Sequence, residues 1–391
     1  MKKKSILAYT DRRITVAAFI LAIFGSLMVA SAEMGNSAGD TGYLTGIIIR
    51  QALYVVVGFG VYFALINLRV YRLRNYLYWA VFGAITLMLL MTRLFGEYGG
   101  AYAWIRLPMG ATIQPSEFAK IFMIAFGGKY LGVDRKEKNL RAFEHYALIL
   151  VFFFFVIAGY QHDFGSGIVL FVVSYCVALI PDYKEVRPYQ RIMKLLIIAV
   201  VAIALLVMSK PFTEFLKAHS GNYMIGRFLA AADPFLYQYD NGYHLIMALV
   251  SFANGGIFGL GYGNSIHKYM NFPNPSNDFI LPVIVEELGI VGFTGFILMY
   301  GLMLYPIIIG SLRTKIIGSK IVLLGVFMYF IVHFILNVGG VSGLIPLTGV
   351  PLLMISSGGS SLMASLGALG LAQGELIRNR LLEEEDEDHR G

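Results

Sequence analysis

The chain has 391 residues, of which 57% are hydrophobic and only 14% are charged, and its net charge is +7. A soluble domain usually carries about 25% charged residues, so this composition excludes an ordinary soluble enzyme and predicts a membrane protein. Because Lys and Arg lie mainly in loops between apolar segments, the positive charge indicates membrane orientation and not a nucleic-acid partner. The single cysteine, Cys176, lies inside an apolar run, so no disulfide framework is expected.

Apolar runs long enough to span a bilayer recur along the chain. They predict an all-α polytopic membrane protein of about ten transmembrane helices. Residues 1–380 would form one bundle and 381–391 an acidic cytoplasmic tail. The eighth run is too long for one straight span, so we expect a tilted helix or a helix with an interfacial end. The runs lie near 14–32, 47–67, 76–92, 114–131, 144–159, 165–181, 193–208, 279–310, 319–336 and 350–374.

The basic residues predict how the bundle is oriented. With the N-terminus inside and the sides alternating, most of the 31 Lys and Arg residues fall in inside segments, which places both termini in the cytoplasm. One outside connection, 209–278, is about 70 residues long, a length typical of functional or disordered loops. Its apolar patches predict a folded element against the membrane. Its GGIFGLGYG stretch, 255–263, lacks the βαβ context of a nucleotide site and indicates close packing by small residues.

The stretch NPSNDFILPVIVEELG, residues 274–289, places three acids at the start of the eighth run. Pro282 fits the first turn of a helix, so Asp278 lies near a helix N-terminus at the predicted outer face. The helix dipole favours its ionised form, which suits a general base; a simple N-cap is the alternative. Glu286 lies about 12 Å deeper along a helix. Glu287 points in another direction, so we expect one glutamate to face the bundle interior and the other a cavity or a cationic partner.

A second polar segment at the predicted outer face is TIQPSEFAK, residues 112–120. Pro115 marks a helix start, and Glu117 and Lys120 stand at i and i+3, close enough to pair. A buried ion pair in a membrane is costly unless it is well satisfied, so this pair either stabilises the bundle or lines a site. The preceding outside loop, AYAWIRL, contains Arg106.

Two more polar segments are predicted at the same face. YQHDFGSG, residues 160–167, places Asp163 in a short outside loop. GLIPLTGVPLLMISSGGSS, residues 343–361, is interrupted by Gly, Pro and Ser and contains Ser360. Irregular backbone at membrane depth is tolerated only where it is buried in protein or lines a cavity.

Together these segments predict a site at the outer membrane surface. In such a site a carboxylate removes a proton and a cation holds an anion. Arg227 and Lys268 are the candidate cations, because both lie in the long outside loop.

The motifs, in this order, resemble those of the RodA/FtsW family, the shape, elongation, division and sporulation proteins. The resemblance covers nearly the whole chain. The motifs are WIRL followed by QPSE with Lys120, QHDFGSG, RFLAAADPF, NGYHLIMALVSFANGGIFGLGYGNS, NDFILPVIVEELGIVG, and NVGGVSGLIPLTGVPL with ISSGGSS.

The resemblance implies ten transmembrane helices in the bacterial cytoplasmic membrane and the polymerisation of lipid II at the outer face. Lipid II is the undecaprenyl-pyrophosphate-linked disaccharide-pentapeptide. The matching catalytic aspartate is Asp278, which would deprotonate the acceptor hydroxyl while cations neutralise the leaving pyrophosphate. The Glu117–Lys120 pair resembles a family feature beside a central cavity and would support the site. The implied partners are a class B penicillin-binding protein and other divisome or elongasome membrane proteins. No cofactor is certain, and Mg²⁺ or Mn²⁺ is compatible with the chemistry.

The sequence departs from the family pattern in places. Ser357 replaces an aromatic residue, and His162 stands where Pro is common. The stretch NVGGVSGLIPLTGVPL looks more like the division type than the elongation type. Two alternatives stay open, a lipid II flippase or other transporter and a non-catalytic scaffold for a transpeptidase. Transport would place polar groups along a path to both faces, so their clustering at one face favours an enzyme.

Overall fold

The computed structural model describes residues 9–37, 39–68, 73–107, 111–133, 139–207, 233–237, 241–270 and 274–388. The helices in these ranges are α1 (Arg12–Glu33), α2 (Thr41–Ile66), α3 (Asn75–Met91), α4 (Pro115–Tyr130), α5 (Asn139–Phe154), α6 (Phe164–Ala178), α7 (Arg187–Val207), α8 (Asn241–Gly255), α9 (Ile280–Arg313), α10 (Ile317–Val341) and α11 (Gly359–Asp388). A 3-10 turn, Thr92–Phe95, extends α3, and a π-helical turn, Phe155–Tyr160, extends α5. The strands β1 (Ile105–Arg106) and β2 (Thr112–Ile113) form an antiparallel hairpin.

The helices have the length and composition of membrane spans. Six in the described ranges are long and apolar enough to cross a bilayer, namely α1, α2, α3 with its 3-10 turn, α5 with its π turn, α9 and α10. Large apolar side chains such as Val56, Leu195 and Leu298 are exposed on the outside of the bundle. So many exposed apolar side chains would be unfavourable in water, whereas they are favourable on a surface that faces lipid. The chain is therefore a multi-pass membrane protein.

The helix positions agree with the apolar runs of the sequence, since each run contains a helix. The last run differs most. Its helix begins at Gly359 and not near 350, because Pro351 and two glycines with positive φ, Gly343 and Gly349, lie in irregular backbone before it. At the other end α11 continues to Asp388, so residues 381–388 of the predicted acidic tail are helical.

Helix α10 lies at the centre of the bundle and contacts α4, α6, α9 and α11. Around this centre, α11 packs along α2, α1 packs along α9, and α4 packs along α6. Glycines allow several of these close approaches. At Gly370, for example, a Cβ would lie 2.5 Å from the Tyr62 carbonyl oxygen. The centre of the bundle thus joins the helices that carry the predicted polar segments.

The long helix α9, which we expected to be a tilted helix or a helix with an interfacial end, is not continuous. It is broken at Gly289, whose φ of 65° and ψ of −167° are not helical. The break divides α9 into a short half, residues 280–288, and a long half, residues 290–313. We call these α9a and α9b. A residue with a side chain rarely adopts this backbone conformation, which explains the glycine.

The glycine-rich stretch after α8 fills the break in α9. Its backbone supplies partners to both halves through the hydrogen bonds Leu260 N to Glu286 O (2.9 Å), Gly261 N to Glu287 O (2.9 Å), Ile290 N to Gly256 O (3.0 Å) and Val291 N to Ile257 O (3.1 Å). The two backbones are so close that a Cβ at Gly259 would lie 2.2 Å from the Glu287 carbonyl oxygen. Close packing by small residues is therefore the role of GGIFGLGYG. Without these bonds the broken turn would leave backbone groups unpaired inside a membrane.

Candidate active site

Asp278 lies in a turn of residues 274–279 that leads into α9a. It is half-buried. The N-cap position of α9 is Phe279, whose side chain makes no cap hydrogen bond. Asp278 lies one residue before this position. The carboxylate borders the irregular segment before α11, because a Cβ at Gly349 would lie 3.5 Å from Asp278 Oδ2.

Hydrogen bonds fix the backbone of the Asp278 turn against that segment. The amide of Asn337, on α10, donates to the carbonyl oxygens of both Asp278 and Val350, at 2.9 Å each. Ser356 Oγ donates to the Asn277 carbonyl oxygen at 2.8 Å. Asn337 was not among the residues predicted from the sequence. The signal was present, since it is the only Asn in α10 and directly follows the apolar run 319–336.

A second cluster joins three of the predicted segments. Asp163 caps α6 by accepting the backbone N–H of Ser166 at 3.0 Å. Gln114, directly before α4, donates from Nε2 to Asp163 Oδ2 at 2.8 Å, and its backbone N–H donates to Ser360 Oγ at 3.1 Å. Gln114 was also missed, although it is the first residue of the QPSE motif.

The two clusters share one wall. A Cβ at Gly165, in the first turn of α6, would lie 2.5 Å from the Thr348 carbonyl oxygen. Thr348 is next to Gly349, which faces Asp278. The structure therefore brings together the four polar segments that the sequence places at one face.

Glu117 and Lys120 form a buried ion pair, with Lys120 Nζ 2.7 Å from Glu117 Oε1. Tyr329 donates its hydroxyl to Glu117 Oε2 at 2.8 Å, and His333 Nε2 lies 3.4 Å from Lys120 Nζ. His333 Nδ1 lies 3.2 Å from the Pro351 carbonyl oxygen. Because a carbonyl only accepts, Nδ1 carries the proton and Nε2 can accept from Lys120. The pair is thus connected to the same irregular segment that borders Asp278.

Glu286 and Glu287 are both fully buried, and both bind the segment after α8. Glu287 accepts from Lys268 Nζ at 2.8 Å and from Ser31 Oγ at 2.6 Å. Glu286 lies 2.6 Å from His267 Nδ1 and also accepts from Ser265 Oγ. We expected one of the two glutamates to face the bundle interior and the other to meet a cavity or a cationic partner, and Glu287 has such a partner in Lys268. The charge of Lys268 is likewise compensated by Glu287, which argues against its predicted role of holding an anion.

The remaining candidate residues differ in position. Arg106 lies exposed on the β-hairpin, where it donates to the Glu97 carbonyl oxygen at 3.4 Å and covers the Tyr98 ring. Arg227 lies outside the described residues. In the parts of the chain that the structure describes, no three His, Cys, Asp or Glu side chains are grouped so that they could hold a metal ion.

Comparisons with known proteins agree with the motifs and the fold. The family model described as "Cell cycle protein", which covers FtsW, RodA and SpoVE, matches residues 11–374. Among the relatives is a probable peptidoglycan glycosyltransferase FtsW of Bacillus subtilis, which is 29% identical over 95% of this chain and 91% of its own length. Stage V sporulation protein E of the same organism is 31% identical over 92% of this chain and 95% of its own length.

Solved structures share the fold. A chain of a peptidoglycan synthase complex that coordinates polymerization and crosslinking superposes with a TM-score of 0.71 at 24% identity, over 95% of this chain and 98% of that chain. RodA of Thermus thermophilus superposes with a TM-score of 0.59 at 22% identity, over 95% of this chain and 97% of its own. The chain belongs to the FtsW/RodA/SpoVE family of membrane proteins.

Proposed function

We propose that this protein is an inverting peptidoglycan glycosyltransferase that joins lipid II into β-1,4 glycan strands, with Asp278 as the general base. The observation that carries the proposal is the position of Asp278. Its half-buried carboxylate lies on a turn fixed by Asn337, where the four polar segments meet. The glycosyltransferase named among the relatives supports the same reaction.

The reaction assigns one role to each group. Asp278 takes the proton of the acceptor 4-hydroxyl, and the freed oxygen attacks the anomeric carbon of the donor. The bond from that carbon to the pyrophosphate breaks, undecaprenyl pyrophosphate leaves, and the configuration inverts. A positioned base contributes about 10²–10⁴-fold to such a step.

The supporting residues act on the site walls and on the leaving group. The Glu117–Lys120 pair, Asp163 and Ser360 hold the segments that surround Asp278. Arg106 and Arg227 are the cations that we assign to the pyrophosphate, where a fixed positive charge stabilises the developing anion. A divalent cation, Mg²⁺ or Mn²⁺, would enter with the pyrophosphate as its counterion.

For the membrane frame we propose ten crossings with both termini inside, formed by all the described helices except α8. Helix α8 would lie in the long outside connection, and Asp278 at the outer surface. The uneven distribution of Lys and Arg supports this orientation. A single-membrane-pass transpeptidase would cross-link the strands, as the relation to a complex that coordinates polymerization and crosslinking suggests. The division pathway is the context that the sequence motifs favour.

The test is polymerisation of lipid II by the purified protein with its transpeptidase partner blocked by penicillin, so that uncross-linked strands are resolved on a gel. Asp278→Asn and Asp278→Ala should make no strands while folding and binding the partner as wild type does. Asp40→Asn is the matched control. Asp40 is a carboxylate near the same end of the bundle that caps α2, and Asn also caps well, so this variant should polymerise normally.

Two results would contradict the proposal in different ways. Normal polymerisation by Asp278→Asn would remove the base role. A wild-type protein that makes no strands but moves lipid II across the bilayer of proteoliposomes would replace the enzyme with the flippase alternative.

A further inference from the structure

The half-helix α9a carries functional groups at both of its ends. The Asp278 turn precedes its first residue, and Glu286 and Glu287 lie in its last turn. The break at Gly289 separates α9a from α9b, so the position of α9a does not follow from that of α9b through a continuous helix. Other contacts must fix it.

At the outer end those contacts are the hydrogen bonds to Asn337 and to the segment before α11. At the inner end they are the backbone hydrogen bonds from the glycine-rich stretch and a group of side chains that we call the clasp. It consists of Ser31, Asn254, Ser265, His267, Lys268, Glu286 and Glu287. Lys268 also donates to Ser31 Oγ at 3.1 Å, so the clasp joins α9a to α1 as well as to the segment after α8.

The clasp contains charged groups at a buried position. Apolar side chains packed there would stabilise the contact between α9a and its neighbours at least as well. Both glutamates and Lys268 are almost fully excluded from solvent. A buried ion pair contributes little net stability, because the loss of hydration offsets the attraction. Its geometry, in contrast, is specific, since each carboxylate oxygen needs its donor at one position. We therefore expect the clasp to determine the position of α9a more than it contributes to the free energy of unfolding.

We propose that Glu286 and Glu287 are positioning residues for Asp278. Through the clasp they place α9a, and with it the carboxylate that lies eight residues away, relative to the wall formed by Thr348 and Gly349. The effect on catalysis rests on the proposed function of Asp278, whereas the effect on the position of the Asp278 turn does not.

The test compares the charged clasp with neutral versions of it. Glu287→Gln and Glu286→Gln should lower kcat on the order of 10- to 100-fold, the size of effect expected for a displaced reacting group, with KM for lipid II unchanged. Because Glu287→Gln leaves Lys268 buried and unpaired, it should also lower Tm. The double variant Glu287→Gln with Lys268→Met removes both charges, so it should regain Tm while kcat stays low. A merely structural pair would recover Tm and kcat together, and that result would overturn the proposal.

The matched control is Glu375→Gln on α11. Glu375 is also a buried glutamate that accepts a serine hydroxyl, from Ser319, but it lies far along the chain from α9a and outside the clasp. It should keep the wild-type kcat. A loss of kcat equal to that of Glu287→Gln would mean that removing any buried carboxylate impairs the enzyme, and the proposal would fail.

A second readout is independent of polymerisation. The chain has one cysteine, so a Cys176→Ala background carrying Asn277→Cys places a single thiol beside Asp278. Its labelling rate with a soluble maleimide should change severalfold when Glu287→Gln or the double variant is added, and should not change with Glu375→Gln. Unchanged labelling in the clasp variants would overturn the proposal. If wild type made no strands, the proposed function would fail, and this labelling would still decide whether the clasp places the Asp278 turn.

Discussion

Asn337 connects the Asp278 turn to the backbone of the neighbouring segment with a single amide group. Its Nδ2 donates to the carbonyl oxygens of Asp278 and Val350, so both N–H groups of the amide are used. A side chain that can only accept hydrogen bonds would form neither bond at this position, because both carbonyl oxygens are acceptors as well. The position of the Asp278 turn therefore depends on a neighbour that carries no charge.

We predict that Asn337→Asp lowers the rate of lipid II polymerisation at least as much as a displaced base would, about 10²-fold. The two side chains have the same shape, but the carboxylate loses both donors and repels both carbonyl oxygens. Gel-resolved strand synthesis by the purified variant measures the effect. Asn67→Asp is the control, because its amide also donates to a backbone carbonyl, that of Phe63, but at the far end of α2. Equal activity of Asn337→Asp and wild type would show that the turn holds its position without the amide.

At the scale of secondary-structure elements, the broken helix α9 gives the glycine-rich stretch its role. The apolar run 279–310 was too long for one straight span, and the break accounts for the excess length. Backbone polar groups that leave a helix inside a membrane must find partners, and the stretch after α8 supplies them. The helix and the stretch therefore form one hydrogen-bonded unit, although they are separated in the sequence by the Asp278 turn.

We predict that Gly289→Ala destabilises the protein by several kcal/mol. Gly289 has a positive φ, and a Cβ there would also lie 2.3 Å from the Ile257 carbonyl oxygen. Backbone strain alone usually costs about 1–3 kcal/mol, and the steric clash adds to that cost. Thermal unfolding of the detergent-solubilised protein, followed by tryptophan fluorescence, is the measurement. Gly295→Ala is the control within the same helix, because no atom lies within 4 Å of its Cβ. It should be neutral or slightly stabilising. Similar Tm values for the two variants would show that the break tolerates a side chain.

At the scale of the whole molecule, the sequence predicts the parts that depend on periodicity and composition. The ten apolar runs, the face on which the polar segments lie and the position of Asp278 before a helix all follow from the order of residue types. The i,i+3 spacing of Glu117 and Lys120 likewise predicts their ion pair. These features are local or nearly local, so one stretch of sequence contains the information.

The rest depends on contacts between distant segments. The partners of Glu286 and Glu287 come from α8, from the connection after it and from α1, and no pattern within EELG predicts them. The roles of Asn337 and Gln114 could not be predicted, because their hydrogen-bond partners are carbonyl and carboxylate oxygens from distant segments. The break at Gly289 could not be predicted either, because a glycine in an apolar run is equally compatible with a continuous membrane helix.

The two ends of the described chain also meet, at the end of the bundle opposite Asp278. Arg380 of α11 donates to the Tyr9 carbonyl oxygen at 2.8 Å and to Asp11 Oδ2 at 3.0 Å. Asp11 caps α1 and also pairs with Arg13. Burial, which alone would raise the pKa of Asp11, is outweighed by the bonds and charges of Arg13 and Arg380, which hold the pKa below its ordinary value of 3.8. One carboxylate thus joins the first helix to the last.

We predict that Asp11→Asn lowers the free energy of unfolding at neutral pH by about 1 kcal/mol, the value expected for a partly exposed ion pair. Asn keeps the cap on α1, so the difference isolates the charge. Since the pKa of Asp11 is lower in the folded than in the unfolded protein, its contribution is complete above the unfolded pKa and is lost as the pH falls through the folded one. The gap in Tm between wild type and Asp11→Asn should therefore be constant from pH 7 to about pH 5 and close below about pH 4.

The control is Asp182→Asn, which removes an exposed pair with Arg187 and should leave Tm unchanged throughout. A gap of equal size at both ends of the pH range would show that Asp11 acts through its shape and not its charge.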